Sequence, residues 1–129
     1  MKRFLLDSSF LIDLFNEDAD RRPGAAAAWL RRNSQAQLWI SPVSAAEVLE
    51  GAADREAVKA FLLRYRWQGI GHSHAERVAL RQSRSDHRLG ENDAWQVAVA
   101  EGLDAAIVGH DPKAFRRLGD RYVDHRLSA

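Results

Sequence analysis

The chain contains no cysteine, and that absence removes several chemistries at once. A disulfide framework, a thiolate zinc site and a cysteine nucleophile are all excluded. Long hydrophobic runs are missing too: no segment approaches the ~20 apolar residues that span a bilayer. Met1-Lys2-Arg3 opens like a signal peptide, but the apolar stretch behind it carries Asp7 and Asp13 and has no small-residue cleavage site. Neither sign of charge is in excess, with 19 basic residues, nearly all arginine, against 18 acidic ones. Such a chain is no polycation, so nucleic-acid binding needs a local patch. The expectation is a cytoplasmic protein with no membrane contact.

What is present suits a folded core. Hydrophobic residues make up 46% of the 129 positions, enough for one domain over residues 1–129. No tandem repeat or long linker interrupts it. "RFLLD" reads as a buried strand, and "SSFLIDLFN" as a helix capped by Ser8 or Ser9, with Phe10, Leu11, Leu14 and Phe15 on one side. A second helix is predicted over residues 18–32, with Pro23 in or near its first turn and an alanine-rich face. "QLWIS" is the next strand, followed by a helix "SAAEVLEGA" capped by Ser41 or Ser44. In "DREAVKAFLLRYR", Val58, Phe61, Leu62 and Tyr65 recur at helical spacing.

A short strand "WQGIG" and a helix "SHAERVALRQSRSDHR" follow. The helix "NDAWQVAVAEG", capped by Asn92 and stopped by Gly102, is apolar nearly all round. "AAIVG" is a buried strand, "DPKAFRRLG" a short helix and "RYVDH" an edge strand. Strands alternating with helices predict an α/β fold: a mostly parallel sheet of four to five strands, flanked by helices on both faces.

Ligands of open α/β sheets bind beyond the carboxyl ends of the strands, and four acids fall there. Asp7 ends the first strand, Asp111 follows "AAIVGH", Asp93 opens the apolar helix, and Glu47 stands about a turn inside the helix after "QLWIS". Taken singly, each has an ordinary explanation. Asp7 suits a helix cap, Glu47 a solvated helix face, Asp93 a first-turn dipole partner and Asp111-Pro112 a helix start. Taken together they are costly, because two carboxylates 4 Å apart repel by roughly 4 kcal/mol at an effective dielectric of about 20. A divalent cation removes that cost, and all-oxygen donors favour Mg²⁺ or Mn²⁺ over zinc. Such a cation against a phosphodiester is a common arrangement for hydrolysis.

With these pieces in order, the sequence resembles the PIN-domain ribonucleases, and among them the toxin components of VapBC-type toxin–antitoxin pairs. The matching stretches are "FLLDSSFLIDLF", "ISPVSAAEVLEGA", "ENDAWQVAVAEG" and "AAIVGHDPKAF". The resemblance implies a PIN-like fold and a catalytic, metal-holding set of Asp7, Glu47, Asp93 and Asp111, with Ser9 helping to order the site. It also implies Mg²⁺- or Mn²⁺-dependent endonucleolytic cleavage of RNA, a homodimer and an antitoxin that blocks the site. One departure stands out: many relatives carry Thr or Ser two positions before the last acid, where this chain has Gly109.

Other features have plainer readings. His110 beside Asp111 is a lone loop histidine, more often incidental than catalytic. His72 and His74 mark a loop or a helix start, since a zinc site needs more ligands. Trp29, Trp39, Trp67 and Trp95 suit core or dimer-interface packing better than base stacking. Arg77, Arg81, Arg84 and Arg88 recur at helical spacing, and Arg116 and Arg117 follow Asp111. Of these, Arg84, Arg88, Arg116 and Arg117 are the candidates to hold RNA phosphates.

A phosphotransfer enzyme and a signalling domain fit less well. A haloacid-dehalogenase-like phosphotransferase wants a second aspartate where Ser9 stands, and a receiver domain wants its acceptor after a central strand. The leading alternative is a PIN-like module that binds metal or RNA without cutting it.

Overall fold

The computed structural model describes residues 1–127 of the chain. Its elements run β1 (Arg3–Leu6), α1 (Ser8–Asp20), α2 (Ala25–Arg32), β2 (Gln37–Ile40), α3 (Pro42–Glu50), α4 (Arg55–Leu62) and β3 (Arg66–Trp67). They continue with α5 (His72–Arg84), α6 (Glu91–Leu103), β4 (Ala106–Gly109), α7 (Pro112–Phe115), a 3₁₀ stretch (Arg116–Arg121) and β5 (Tyr122–Asp124). The sheet order is β3-β2-β1-β4-β5, and every pairing is parallel. This is the expected α/β architecture.

Alternation within β1 divides the core. Phe4 and Leu6 join Phe10, Leu11, Leu14, Trp29, Ile40, Val58 and Phe61 on one face. Leu5 joins Val97, Val99, Ile107 and Phe115 on the other. A strand buried on both faces must be apolar throughout, and that is why β1 shows no polar alternation. Phe10 is fully buried, with its ring edge-on to Trp29 at 5.4 Å and to His125 at 4.9 Å. Trp29 is therefore core, whereas Trp67 is 44% exposed, at the edge strand.

Several expected boundaries move, each for a local reason. Residues 18–32 are not one helix. α1 runs on to Asp20, Arg21 turns left-handed at φ 53°, and α2 starts only at Ala25. Glu17 organises that break, its carboxylate accepting from the backbone N–H groups of Gly24 (2.6 Å), Ala26 (3.1 Å) and Ala27 (3.0 Å). A carboxylate from one helix thus caps the next, satisfying donors that no neighbouring residue reaches.

α1 is capped by Asp7 and not by Ser8 or Ser9, while α3 is capped by Ser41 as expected. α6 begins after Gly90, so Asn92 is already inside it, and Gly102 does not stop it. The helix continues to Leu103 and closes on Asp104 at φ 51°, a conformation Asp tolerates better than most residues. α5 stops at Arg84, so Arg88 stands outside the helix that was expected to carry it. β3 is only Arg66–Trp67, shorter than "WQGIG" suggests. The His72–His74 stretch opens α5, and buried His74 accepts at Nδ1 from Gly71 N.

No helix among the described residues is long and apolar enough to cross a membrane. Phe10→Ala is expected to lower unfolding free energy by about 3–5 kcal/mol, read from urea denaturation. A loss below about 1 kcal/mol would mean that the α1 side of the sheet is not the main core.

Candidate active site

Parallel strands send all their carboxyl ends to one edge, and the helices that connect them start there. The strand order reverses between β1 and β4, and such a switch point opens a crevice for ligands. Asp7 follows β1, and Asp111 stands two residues beyond β4. α3 brings Glu47 and the first turn of α6 brings Asp93.

Asp7 is the most buried of the four, only 5% exposed. Its backbone N–H donates to Val108 O at 2.9 Å, fixing it to β4. Its Oδ2 accepts from Ser9 Oγ at 2.8 Å and Ser9 N at 3.3 Å. The same Ser9 hydroxyl accepts from His110 N at 2.8 Å, so one side chain links the end of β1 to the loop after β4. Asp111 caps α7 through Ala114 N at 3.2 Å, and its own N–H donates to Tyr122 Oη at 3.1 Å. The plain cap readings of Asp7 and Asp111 are thus correct as geometry, and they hold both carboxylates at this edge.

The acids act on one another. Burial raises the Asp7 carboxyl above the usual carboxylate range, and the charge of Asp111 adds to it, while Ser9 and Gln96 pull the other way. Glu47 is raised by burial and then by Asp7, Asp93, Glu50 and Asp111. Asp93 is raised by burial and then by Asp111 and Asp7. No basic side chain is among these influences. Among the described residues, no three acid or histidine side chains are drawn together tightly enough to enclose a metal ion. The donor set itself is all oxygen, which suits a hard divalent cation.

Arg84, Arg88, Arg116 and Arg117 are all exposed. Arg81 is taken up by Glu101 at 2.8 Å. A cavity of about 770 Å³ lies elsewhere, lined by Lys2, Arg3, Trp29 and Arg121 among others, and none of the four acids reaches it.

Three contributors escape a reading of the sequence. Gln96 is 1% exposed, and its Oε1 accepts from buried Ser41. Its only sequence signal is that it is the one amide within the apolar run Ala94–Ala100. Asp124 receives His110 Nδ1 at 2.9 and 3.1 Å, so His110 is half-buried and tethered, not a free loop side chain. Tyr122 supplies the hydroxyl that fixes Asp111. Both lie on β5, outside the stretches that carry the four acids.

Gly109 has a steric reason. A Cβ there would stand 2.6 Å from Ser9 Oγ and 2.7 Å from Asp7 Cβ, closer than atoms approach without displacement. The hydroxyl of Ser9 fills the space that a Thr or Ser at 109 would claim. Gly109→Ala is expected to cost about 1–3 kcal/mol by urea denaturation, and an unchanged midpoint would mean that Ser9 moves aside freely.

A family model for the PIN domain matches residues 4–121. A search of curated protein sequences found no match. Among solved structures, the chain is similar to a toxin–antitoxin complex from Klebsiella pneumoniae, with 26% identity, TM-score 0.75, and 94% of this chain and 96% of that one covered. VapBC-1 from nontypeable Haemophilus influenzae matches at 22% identity and TM-score 0.72, over 95% and 98% of the two chains. DNA-bound VapBC from Salmonella typhimurium matches at 18% identity and TM-score 0.76, over 97% and 99%; these last two likenesses speak for the fold. With nearly the whole chain matched and the acids at the switch point of its parallel sheet, this protein belongs to the PIN-domain family.

Proposed function

We propose that this chain is a Mg²⁺- or Mn²⁺-dependent endoribonuclease, cutting RNA phosphodiester bonds as the toxin of a toxin–antitoxin pair in the cytoplasm. The observation that carries this reading is the gathering of Asp7, Glu47, Asp93 and Asp111 at the carboxyl edge of the sheet, where burial and the charges of the other acids raise Asp7, Glu47 and Asp93. Like charges gathered where burial already disfavours them are stable only if protonated or neutralised by a cation.

When bound, a divalent cation supplies positive charge to the phosphodiester oxygens and acidifies water at the site. Asp7, Asp93, Asp111 and Glu47 are the residues that would hold it. Glu47 and Asp93, the half-buried pair on helices, would complete that set from α3 and α6. Ser9 keeps Oδ2 of Asp7 in place, so that carboxylate needs no reorganisation as charge develops. Glu47, already raised, is suited to accept a proton from the attacking water. Attack by that water leaves a 3′ hydroxyl and a 5′ phosphate. Arg84, Arg88, Arg116 and Arg117, all exposed, offer charge to backbone phosphates on either side.

The toxin–antitoxin complexes among the similar folds support an antitoxin as partner, and the family resemblance extends the reading to a homodimer. A PIN-like module that binds metal or RNA without cutting it is the second reading.

Cleavage of mixed RNA should appear with Mg²⁺ or Mn²⁺ and vanish with EDTA. Asp7→Asn should lower it by more than about 100-fold, beyond what a change outside the ligand set does. Folded, antitoxin-free protein that cuts no RNA under these conditions would favour the binding module.

The same acids predict how stability varies with pH. Asp7, Glu47 and Asp93 bind protons more tightly folded than unfolded, so the cation-free protein gains stability as pH falls from neutral through their raised values. The gain is complete below the ordinary values of 3.8 and 4.5. Asp13 works oppositely: burial would raise it, but Arg126 and His125 hold it below 3.8, and its contribution is lost as pH falls through that lowered value. Thermal midpoints should therefore rise on mild acidification and fall on strong acidification. At neutral pH, Mn²⁺ should raise the midpoint of the unaltered protein and leave Asp7→Asn unmoved. Equal shifts in both would place the cation elsewhere.

A further inference from the structure

Gln96 stands one turn beyond Asp93 on α6, with its side chain buried against the acids. A primary amide so enclosed must satisfy one acceptor and two donors. The acceptor is met, since Oε1 receives the hydroxyl of Ser41, itself fully buried. Ser41 Oγ in turn accepts from Ser44 N at 3.4 Å, so its donor and an acceptor position are both engaged at the start of α3. The amide nitrogen, by contrast, has no hydrogen-bond partner. With Oε1 committed to Ser41, Nε2 is the amide atom left to meet Asp7, whose carboxyl the Gln96 side chain lowers against the effect of burial.

Native proteins leave few buried donors unmet, and each such donor calls for a reason. Packing alone does not supply one: a leucine or methionine would fill the same space on an otherwise apolar stretch without a polar atom to satisfy. The neighbour of this donor is a carboxylate whose Oδ2 is already held by Ser9. A metal-holding carboxylate gains affinity when its remaining lone pairs are fixed by outer hydrogen bonds.

We propose that Gln96 is a positioning residue of the metal centre: oriented by Ser41, its Nε2 donates to the Asp7 carboxylate when a divalent cation is held. One amide would then tie together β1, α3 and α6, the elements that carry Asp7, Glu47 and Asp93. This inference rests on the metal-dependent reading above and assigns roles to Gln96 and Ser41 within it.

The test is Mn²⁺ titration followed by electron paramagnetic resonance of the free ion, on the unaltered protein, Gln96→Met, Ser41→Ala and Asp7→Asn. Thermal unfolding in cation-free buffer and kcat and KM for RNA cleavage are measured beside it. Methionine matches glutamine in length and removes the unmet donor, but it also takes the acceptor from the buried Ser41 hydroxyl. Gln96→Met should therefore leave the cation-free midpoint somewhat lowered, as should Ser41→Ala. Gln96→Met should in addition bind Mn²⁺ about tenfold more weakly or worse, with kcat reduced and KM for RNA unchanged. A merely structural glutamine would lower the midpoint and leave Mn²⁺ affinity and kcat intact.

Ser41→Ala, which frees the amide to turn, should weaken Mn²⁺ binding in the same direction by a smaller factor. Folded Gln96→Met with affinity within about twofold of the unaltered protein would overturn the proposal, since outer partners of metal ligands typically matter by more. Should Gln96→Met not fold, undiminished affinity in Ser41→Ala would overturn it equally. Absence of Mn²⁺ binding by the unaltered protein is a separate result, sinking the metal reading and this one with it.

Discussion

A buried aspartate at the end of a central strand constrains everything around it. Asp7 has lost almost all contact with water, and desolvation is the largest influence on its carboxyl. A group in that position persists only if hydrogen bonds and charge are arranged about it. Ser9 supplies two bonds to Oδ2, and that demand fixes more than Ser9. The hydroxyl must also receive His110 N, which brings β4 so close that residue 109 has no room for a side chain. The strand pairing, the first helix cap and the glycine at the end of β4 are thus parts of one packing solution.

The parallel sheet turns this local solution into a site. Because β1 and β4 are neighbours across the point where strand order reverses, the helix starts after them face the same space. Helix N-termini favour negative charge, and that helps to explain how four carboxylates sit at one edge of a nearly neutral chain. Helix ends alone do not compensate them, since burial and mutual repulsion still raise Asp7, Glu47 and Asp93. The fold therefore stores electrostatic cost where chemistry is expected, as functional sites commonly do.

The opposite pattern holds away from the site, where charges are matched and tie the periphery down. Asp13 receives His125 at 2.7 Å and both arms of the Arg126 guanidinium at 2.9 and 3.0 Å, fastening the end of the chain to α1. Arg121 donates to Ala105 O at 2.8 Å and to Asp104 Oδ1 at 3.3 Å, bracing the turn between α6 and β4. Glu17 caps α2 in the same spirit. Charge-assisted bonds of this kind are stronger than neutral ones, and their presence makes the unanswered acids at the carboxyl edge stand out.

By itself the sequence determined the α/β alternation, the apolar core strands and the four acids near strand and helix ends. Each of those depends on periodicity or on neighbours a few positions apart. The tertiary structure alone decided where helices truly break and which polar groups meet. Glu17 caps a helix seven residues on, Asp124 holds His110 across two strands, and Ser41 reaches Gln96 from 55 residues away. In sequence Gly109 is a missing hydroxyl, and only the closeness of Ser9 and Asp7 explains it. Short-range pattern specifies elements because backbone geometry repeats within a turn or a pleat. The partners of buried polar groups are set by which elements pack together, and that information is spread over the whole chain.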